Sequence, residues 1–537
     1  MGEAKPGWAA VLCIVGSLSA GACSATAMLG DDGGPPDRML EPECSASSDC
    51  LAPQLPICSP EAVCSACKQD VDCKLRDPGA PLCAADGACV ACRGAADCED
   101  SMLPVCDPTS RACRACSADA ECESGVCNLS EGSCFPAAEV YIVDDGGHCG
   151  TGDGSAGAPF CSIDEALAAF STAARNFISV RDGVYTFPPL ASAPLPTFIG
   201  TADAQIGPAA AGGDCLKLDT SAALLLRGFH FKGCGIALRL GAASSQVMIS
   251  GTSIDSSQTG IDCHARHCYV SSVEVIDTTT GLRCSDGAKC LIKDSTFDGG
   301  DSGVIAIGAT LQLHDSIVTH SKLMGLNLAD SEVEVLHSTV REIGKGGTGA
   351  TTAVACVGSY CTFDRARIVG SRGAGLALAN SSFEIYSSAI LGNGSEDASL
   401  AQNGGVVLLT PGATRIFENN TVVGNRAALG ATAGVRCNAA VTLKSSIVWG
   451  NSGSPIDPLC SATYSDIDTA TVLPGVGNLR EDPKLTSVTP GAMDEHIAAD
   501  SPCVDKGDPA GGPTSDIDGQ ARPSGARVDI GADEKAP

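Results

Sequence analysis

Aromatic residues and basic residues are both scarce in this chain of 537 residues. Only 4% of the residues are aromatic, against 63 glycines, and this composition suits tight turns and small stacked side chains better than a large globular core. The 34 lysines and arginines are outnumbered by 63 aspartates and glutamates, which gives a net charge of −29. That charge argues against nucleic acid as a partner and against a polybasic membrane patch. An acidic surface either keeps a protein soluble or binds divalent cations.

The apolar run from Ala9 to Ala22 is too short to span a membrane but has the length of a signal peptide. We therefore expect residues 1–22 to be a signal peptide and the chain to be exported. Ala20-Gly-Ala22-Cys23 resembles the bacterial lipoprotein box, although Ala20 stands where that box has leucine. The resemblance implies lipidation at Cys23, membrane contact only through that anchor, and a place at the outer membrane or cell surface. The alternative is ordinary secretion.

Residues 23–43 are predicted to be a flexible linker, because Gly30 to Pro42 is rich in glycine, proline and aspartate. Four cysteine repeats follow in residues 44–136, each opening C-x5-C and joined to the next by C-x2-C. Their cysteines are Cys44, Cys50, Cys58, Cys64, Cys67, Cys73, Cys83, Cys89, Cys92, Cys98, Cys106, Cys113, Cys116, Cys122, Cys127 and Cys134. Such short modules have too little apolar surface to fold alone, so an exported chain would staple them with disulfides. Zinc is the alternative for the C-x2-C pairs, but no histidine lies in this region.

The spacing of these cysteines resembles the N-terminal cysteine-rich domain of Dickkopf proteins and similar extracellular modules. The resemblance implies a binding or spacer module and nothing more specific.

A second kind of repeat runs from about Leu225 to Asn451, where a phrase such as Leu311-Gln-Leu-His-Asp-Ser316-Ile-Val318 returns about every 22 residues. A fixed period of this size marks a solenoid. In each phrase one small residue turns the chain, and we call these nine residues the anchors. They are Thr252, Val273, Ser295, Ser316, Ser338, Ala366, Ser388, Asn420 and Ser446.

Each unit contains three short runs of alternating apolar residues, which predict three short strands. Such strands cannot bury their apolar faces within one unit, so successive units must stack about 4.8 Å apart. The sequence therefore predicts an all-β fold, a single-stranded parallel β-helix of about ten coils over residues 138–480. The anchors should form an internal ladder in which each side chain bonds to the rungs above and below.

This pattern resembles the right-handed parallel β-helix proteins of the pectin-lyase-like superfamily, from about Val140 to Glu534. Ser162-Ile-Asp-Glu165 is a capping box and predicts a helix that closes the N-terminal end of the rod. Gly152-Asp-Gly-Ser-Ala-Gly157 spells a dinucleotide-binding fingerprint. Pro159 and Cys161 intervene before the helix, so we expect no cofactor there.

Further cysteines lie in the predicted rod. Three pairs flank a turn between the third strand of one unit and the first strand of the next: Cys263 with Cys268, Cys284 with Cys290, and Cys356 with Cys361. Disulfide clips at these turns are favoured over reactive thiols. Three more pairs follow the same logic: Cys149 with Cys161, Cys215 with Cys234, and Cys437 with Cys460. Cys503 is left without an obvious partner, and the connectivity stays open.

Catalysis on the β-helix would require an acid, a base and a cation or paired carboxylates on one face. The motifs that the superfamily resemblance implies for polygalacturonases, alginate epimerases and pectate lyases are missing from the coils. The candidate catalytic residues are those immediately before four successive anchors: Asp294, Asp315, His337 and Arg365. Two carboxylates about 5 Å apart need a cation or a shared proton between them. The alternative is a solvated corner that accepts any polar residue; His314 and His320 are similarly available.

The C-terminal residues 481–537 contain Asp516-Ile-Asp518-Gly and Val528-Asp-Ile-Gly-Ala-Asp-Glu534, which resemble the terminal segment of bacterial choice-of-anchor Q domain proteins. The resemblance implies a cap without a fixed activity. We expect acidic residues around Arg522 to form an ion-pair network that closes the last coil. Calcium at Asp516 and Asp518 is the alternative.

These observations favour an exported surface protein with a non-catalytic binding or structural role. A polysaccharide is the favoured ligand, because a flat elongated sheet face suits a linear polymer, and another surface protein is the other partner considered. The alternative is a polysaccharide lyase or glycoside hydrolase that works on the same face. Tyr269, Tyr360, Tyr386 and Trp449 are scattered along the coils, which weakens sugar stacking and leaves a scaffold role open.

Overall fold

The computed structural model describes residues 44–146, 149, 152–170, 175–190, 194–201, 203–345, 351–397, 403–489 and 491–535. The predicted signal peptide, the linker and the lipidation site at Cys23 lie outside these residues. The chain divides into two compact units, Met1–Arg93 and Gly94–Pro537. The expected boundary near residue 137 therefore falls inside the second unit. None of the helices in the described part of the chain has the length and apolarity needed to cross a membrane.

Each cysteine repeat forms a two-stranded antiparallel hairpin. The strands are β1 (Ile57–Cys58), β2 (Cys64–Ser65), β3 (Leu82–Cys83), β4 (Cys89–Val90), β5 (Val105–Cys106), β6 (Cys113–Arg114), β7 (Cys127–Asn128) and β8 (Ser133–Cys134), with helix α1 (Asp70–Arg76) in the second repeat. Short 3-10 helices cover Ser47–Asp49, Ala95–Asp97, Asp119–Glu121 and Ala137–Glu139.

The disulfides of a repeat join its first cysteine to its third and its second to its fourth. The pairs are Cys44–Cys58, Cys50–Cys64, Cys67–Cys83, Cys73–Cys89, Cys98–Cys113, Cys116–Cys127 and Cys122–Cys134, and Cys92 and Cys106 are also disulfide-bonded. All but three of the described cysteines are in disulfides. This density of disulfides indicates an extracellular protein.

The described residues from Val140 to Ile467 wind through three parallel sheets, which confirms the predicted all-β solenoid. Sheet A has 14 strands: β9 (Val140–Val143), β10 (Phe177–Val180), β12 (Thr197–Gly200), β15 (Leu224–Arg227), β18 (Val247–Ser250), β21 (His267–Ser271), β24 (Lys289–Lys293), β27 (Thr310–His314), β30 (Glu332–Leu336), β33 (Tyr360–Asp364), β36 (Ser382–Tyr386), β39 (Arg415–Glu418), β42 (Val441–Lys444) and β45 (Cys460–Thr463).

Sheet B has 13 strands: β11 (Gly183–Tyr185), β13 (Ala204–Ile206), β16 (His230–Lys232), β19 (Ser253–Asp255), β22 (Glu274–Ile276), β25 (Thr296–Asp298), β28 (Ile317–Thr319), β31 (Thr339–Arg341), β34 (Arg367–Val369), β37 (Ala389–Leu391), β40 (Thr421–Val423), β43 (Ile447–Trp449) and β46 (Asp466–Ile467).

Sheet C has 11 strands: β14 (Leu216–Leu218), β17 (Ile236–Leu240), β20 (Thr259–Cys263), β23 (Thr280–Ser285), β26 (Ser302–Ile307), β29 (Met324–Ala329), β32 (Thr352–Val357), β35 (Ala374–Ala379), β38 (Val406–Leu409), β41 (Thr432–Cys437) and β44 (Ser454–Ile456). The described solenoid thus has about 13 turns rather than the expected ten. The first turns lack the repeated phrase, so a count of the repeats in the sequence leaves them out.

The anchors do stack, but their bonds run from side chain to backbone rather than between side chains. The Ser316 Oγ accepts a hydrogen bond from the Ser295 backbone N–H at 3.1 Å and donates to the His314 carbonyl at 2.7 Å. The Asn420 Oδ1 accepts from the Ser388 N–H at 2.9 Å in the same way. The six polar anchors from Ser295 to Ser446 each satisfy a buried N–H in this way, at a corner where the ladder of the sheets is interrupted.

A second ladder of the same kind lies at the next corner, five residues after the anchors, and the sequence analysis did not predict it. There the Asn425 Oδ1 accepts from the Asn393 N–H, and the Asn451 Oδ1 accepts from the Asn425 N–H, both at 2.9 Å. The constant offset of five residues is visible in the sequence and could have revealed this ladder.

Helix α2 (Ile163–Ala169) starts where the capping box predicts, with the Ser162 hydroxyl accepting from the Glu165 N–H at 3.2 Å. Ile163 and Ala166 are buried in the core of the first coils. A Cβ on Gly154 would lie 2.5 Å from the Phe160 ring and 2.6 Å from the Tyr141 ring. This glycine of the apparent fingerprint is thus required by aromatic packing.

The C-terminal segment does not only close the last coil. Its strands β47 (Leu485–Ser487) and β48 (Asp494–Ile497) pair with each other. Its apolar side chains form a second core with the outer face of sheet B, which comprises Ala389, Leu391, Val423, Ile447, Ile497, Cys503, Ile517, Ile530 and Ala532. The segment therefore covers the flank of the last coils, which a sequence reading as an end cap did not anticipate.

Candidate functional site

The four predicted catalytic residues do form one column, and the backbone explains which residues stand there. Asp294, Asp315, His337 and Arg365 have φ between 47° and 53°. This left-handed conformation is costly for most residues, and Asp, Asn and His adopt it several times more often than others. Ser387, Asn419 and Ser445 continue the same column of positive φ. The backbone conformation alone therefore accounts for Asp and His at this corner, whether or not the corner has a catalytic role.

The charges in this column are already paired. The His337 Nδ1 lies 2.8 Å from the Asp315 Oδ1, and this hydrogen bond lowers the pKa of Asp315. The Lys293 Nζ lies 3.8 Å from Asp294, and the Arg365 Nε lies 3.7 Å from Asp364. The column is therefore a charge-paired corner, and a catalytic role for it stays a prediction.

His314 and His320 are also paired with carboxylates. The Nε2 of His314 lies 3.4 Å from Glu334 on the outer face of sheet A. His320 sits at another corner, between Asp298 at 2.7 Å and Glu342 at 2.8 Å. The hydrogen bond to Asp298, followed by that to Glu342, raises the pKa of His320.

The two candidate calcium ligands are engaged by protein groups. Asp516 accepts backbone hydrogen bonds from Asp518, Gln520 and Glu534. Asp518 pairs with the Arg367 guanidinium at 2.7 Å and with the His496 Nε2 at 2.6 Å. Calcium at Asp516 and Asp518 stays a prediction, and the ion would have to replace these two cations.

His496 makes the stability of the C-terminal segment depend on pH. Burial lowers its pKa, but hydrogen bonds to Asp518 and Asp494 outweigh burial and raise the pKa from 6.5 to about 9. The folded state therefore holds an extra proton between these values. Its contribution is fully present below pH 6.5 and is lost as the pH rises through 9.

We expect the free energy of unfolding to fall by about 1–2 kcal/mol over this window, a value discounted because a third of the side chain is exposed. Denaturant unfolding at a series of pH values measures it. The variant His496→Gln should flatten the slope, while His267→Gln on sheet A should not. An identical slope in wild type and His496→Gln would contradict the prediction.

A shallow groove of about 430 Å³ lies on the outer face of sheet A. It crosses strands β21, β24, β27, β30 and β33. Its lining residues are His267, Tyr269, Lys289, Cys290, Leu291, Thr310, Leu311, Gln312, Glu332, Val333, Glu334, Tyr360 and Thr362.

Three tyrosines that looked scattered in the sequence lie on this one face. The row that starts at Tyr269 runs through Leu291, Gln312 and Glu334 to Thr362 on β33. Tyr360 lies on β33 as well, two residues before Thr362, and is therefore four strands from Tyr269. Four strand spacings amount to about 19 Å. Tyr386 stands on the next strand, β36. Tyr269 and Tyr360 are 36% and 38% exposed, so each ring is available to a ligand.

Polar groups fill the space between and beside the rings. The Gln312 amide donates to Glu334 at 2.7 Å, and both tyrosine hydroxyls at the far end, those of Tyr360 and Tyr386, hydrogen-bond to Glu384. Burial, then the charge of Glu384, raises the pKa of Tyr386 to about 12, so its hydroxyl stays protonated at neutral pH. The face combines aromatic surface with fixed donors and acceptors.

The disulfides of the rod follow the expected pairs with one exception. Cys149–Cys161, Cys215–Cys234, Cys284–Cys290, Cys356–Cys361 and Cys437–Cys460 are bonded. The predicted bond between Cys263 and Cys268 is wrong in this structure, where both are buried free thiols. They stack in register on Cys284 and Cys290 of the next coil, whose bond occupies the same turn.

One family model agrees with the solenoid architecture. The family described as "Right handed beta helix region" matches residues 281–472, and a "Family of unknown function (DUF8331)" matches residues 31–140. No curated protein matches the chain. Among solved structures, the "Crystal structure of pectate lyase Pel9A" is similar over 75% of this chain and 97% of that chain, with 14% identity and a TM-score of 0.35. A likeness at this level carries no argument about activity.

Proposed function

We propose that this protein is an extracellular binding protein that holds a linear, neutral polysaccharide against the outer face of sheet A without cleaving it. The observation that carries the proposal is that Tyr269, Tyr360 and Tyr386 all lie on that outer face, on three neighbouring rows of the sheet. Export by residues 1–22 and a lipid anchor at Cys23 would hold it at the outer membrane or cell surface. The cysteine repeats would then separate the anchor from the rod along the chain.

The spacing of the rings supports a polymer rather than a single sugar. A sugar ring presents an apolar face that packs on an aromatic ring, and hydroxyls that need donors and acceptors at its edge. Tyr269 and Tyr360, about 19 Å apart, could each support a different unit of one chain. Gln312 and Glu334 lie between them and could bond to the hydroxyls of the intervening units.

The charge of the face supports a neutral chain rather than a uronic-acid polymer. Lys289 and Lys293 stand near Tyr269, whereas carboxylates dominate towards Tyr386. The acidic residues on these outward positions are Glu332, Glu334, Asp364 and Glu384. A polyanion would be repelled by this surplus, and by the net charge of −29.

The test is binding of the purified exported chain to a panel of soluble glucans, mannans, xylans and polygalacturonate, by co-sedimentation and calorimetry. Each of Tyr269→Ala and Tyr360→Ala should weaken binding by about 1 kcal/mol, roughly fivefold. Because the rings are more than 10 Å apart, the double variant should show the sum of both losses. Ile307→Ala, which removes an apolar side chain exposed to 46% on sheet C, is the matched control.

Two outcomes would contradict the proposal. Loss of binding in Ile307→Ala but not in the tyrosine variants would move the site to another face. Release of shortened or unsaturated products from any polymer would instead support the enzymatic alternative, and Glu334→Gln would then show whether this face performs the reaction.

A further inference from the structure

A second groove, of about 450 Å³, lies on a corner of the rod away from sheet A. It runs along the turns that follow strands β31, β34, β37 and β40, and one side is formed by Met493 of the C-terminal segment. It is independent of the tyrosine face and of the charge-paired column.

The groove exists because side chains are missing at three successive corners. The positive-φ position after sheet B is occupied in earlier coils by Ser256, Asp277, His320 and Glu342, with single glycines at Gly233 and Gly299. In the coils of the groove it is glycine three times in succession, at Gly370, Gly392 and Gly424. At Gly392 and Gly424 an added Cβ would lie 3.1 Å and 2.8 Å from the Met493 sulfur. The missing side chains therefore leave a trough with Met493 against its floor.

The rim of this trough is cationic, which is unusual in a chain with a net charge of −29. Its charged lining residues are four cations and one carboxylate, namely Arg341, Lys345, Arg372, Arg426 and Glu342. The carboxylate of Glu342 is already bonded to Lys345 at 2.8 Å and to His320 at 2.8 Å. The local charge thus has the opposite sign to that of the protein.

Two of the arginines are available to a ligand. No ion pair or hydrogen bond from the described part of the chain engages the guanidinium groups of Arg341 and Arg426, and both residues are exposed.

Backbone bonds align Arg372, Gly394 and Arg426 on successive turns. Arg372 and Arg426 are therefore two turns apart, about 9.6 Å, with the bare backbone of Gly394 between them.

The floor is apolar, because Val369, Leu391 and Met493 contribute to it. Guanidinium groups bind carboxylates, sulfates and phosphates through paired N–H donors, and an apolar floor adds affinity for a hydrocarbon body. We propose that this groove binds a small organic anion, with its charged group at the arginines and its apolar body on Met493.

The experiment uses calorimetry on the purified exported chain with octanoate and phenyl sulfate as organic anions, sodium sulfate as an inorganic anion, and octanol as a neutral body. Both organic anions should bind saturably and more tightly than sodium sulfate and octanol. Arg341→Gln and Arg426→Gln should each weaken binding about tenfold, since each removes a charge-assisted hydrogen bond.

Arg283→Gln is the matched control, because it removes the same charge from an exposed position on sheet C. Its binding should equal that of the wild type. The proposal fails if neither organic anion saturates, if sodium sulfate or octanol binds as tightly as the organic anions, or if Arg283→Gln weakens binding as much as Arg426→Gln. The tyrosine variants of sheet A should leave this binding unchanged, which separates it from polysaccharide binding.

Discussion

Replacing Arg522 with methionine is expected to destabilise the C-terminal segment by about 3–5 kcal/mol. The Arg522 and Glu534 side chains are both fully buried, with the Arg522 Nε 3.8 Å from the Glu534 carboxylate. A second nitrogen of Arg522 donates to the Gly531 carbonyl at 2.9 Å. Asp516, Asp529 and Asp533 are buried close enough for their charges to act on this arginine. Methionine would leave several buried carboxylates without their shared cation.

Tryptophan fluorescence can report the unfolding of this segment, because Trp449 is the only tryptophan in the described part of the chain. Trp449 packs against the apolar cluster between sheet B and the C-terminal segment, and the other tryptophan, Trp8, lies in the predicted signal peptide. Urea unfolding followed by Trp449 fluorescence should show the loss in Arg522→Met. Arg527→Met, which removes an exposed arginine five residues away, should stay within about 0.5 kcal/mol of the wild type.

A double variant and a pH series separate charge from packing. Arg522→Met with Glu534→Gln should recover part of the loss, because one uncompensated carboxylate is then neutral. Burial raises the pKa of Asp529 to about 6, so its neutral form is favoured in the fold below that pH. The deficit of Arg522→Met should therefore shrink as the pH falls from 7 towards 5. A deficit that is independent of both pH and Glu534 would show that only packing was lost.

The solenoid could be predicted from the sequence because its physics is local and repeated. Every unit must present the same strands and corners to its neighbour, so Ser295, Ser316 and Ser338 recur at nearly constant spacing. The early coils lack the phrase, and for that reason the number of turns was underestimated.

The sequence analysis did not group the three tyrosines because insertions make their spacing along the chain irregular. Tyr269, Tyr360 and Tyr386 precede the anchors Val273, Ala366 and Ser388 by four, six and two residues. All three offsets are even, so with a period of two the side chains point to the same side of sheet A as one another. Counting from the anchors rather than along the chain would have placed them together.

Contacts between distant segments could not be predicted in this way. Ser387, Asn419 and Ser445 look featureless in the column of corners, yet each bonds to the C-terminal segment. The Ser387 hydroxyl donates to the Ser515 carbonyl, the Asn419 amide donates to the Asp529 carbonyl, and the Ser445 hydroxyl accepts from the Asp508 N–H. No period links these residues, so only the fold brings them together. The Dickkopf and choice-of-anchor Q resemblances stay predictions.

Removing one disulfide should unfold a cysteine repeat but leave the rod folded. In the described residues up to Arg93, the buried apolar side chains are Pro56, Ala88, Val90 and five cysteines. The module therefore has almost no core apart from its sulfur atoms. In the rod, by contrast, Cys437 and Cys460 belong to a core that runs through all the coils.

We expect Cys73→Ala with Cys89→Ala to unfold the second cysteine repeat, whereas Cys437→Ala with Cys460→Ala should leave the rod folded. The two bonds close loops of similar length, with sequence separations of 16 and 23 residues. The entropy that each bond removes from the unfolded chain is therefore similar, about 3 kcal/mol. Only the rod has enough buried apolar surface to absorb that loss. Hydrogen exchange of residues 67–89 and 432–463 in both variants measures the difference, and equal protection in the two regions would show that the repeats are held by more than their disulfides.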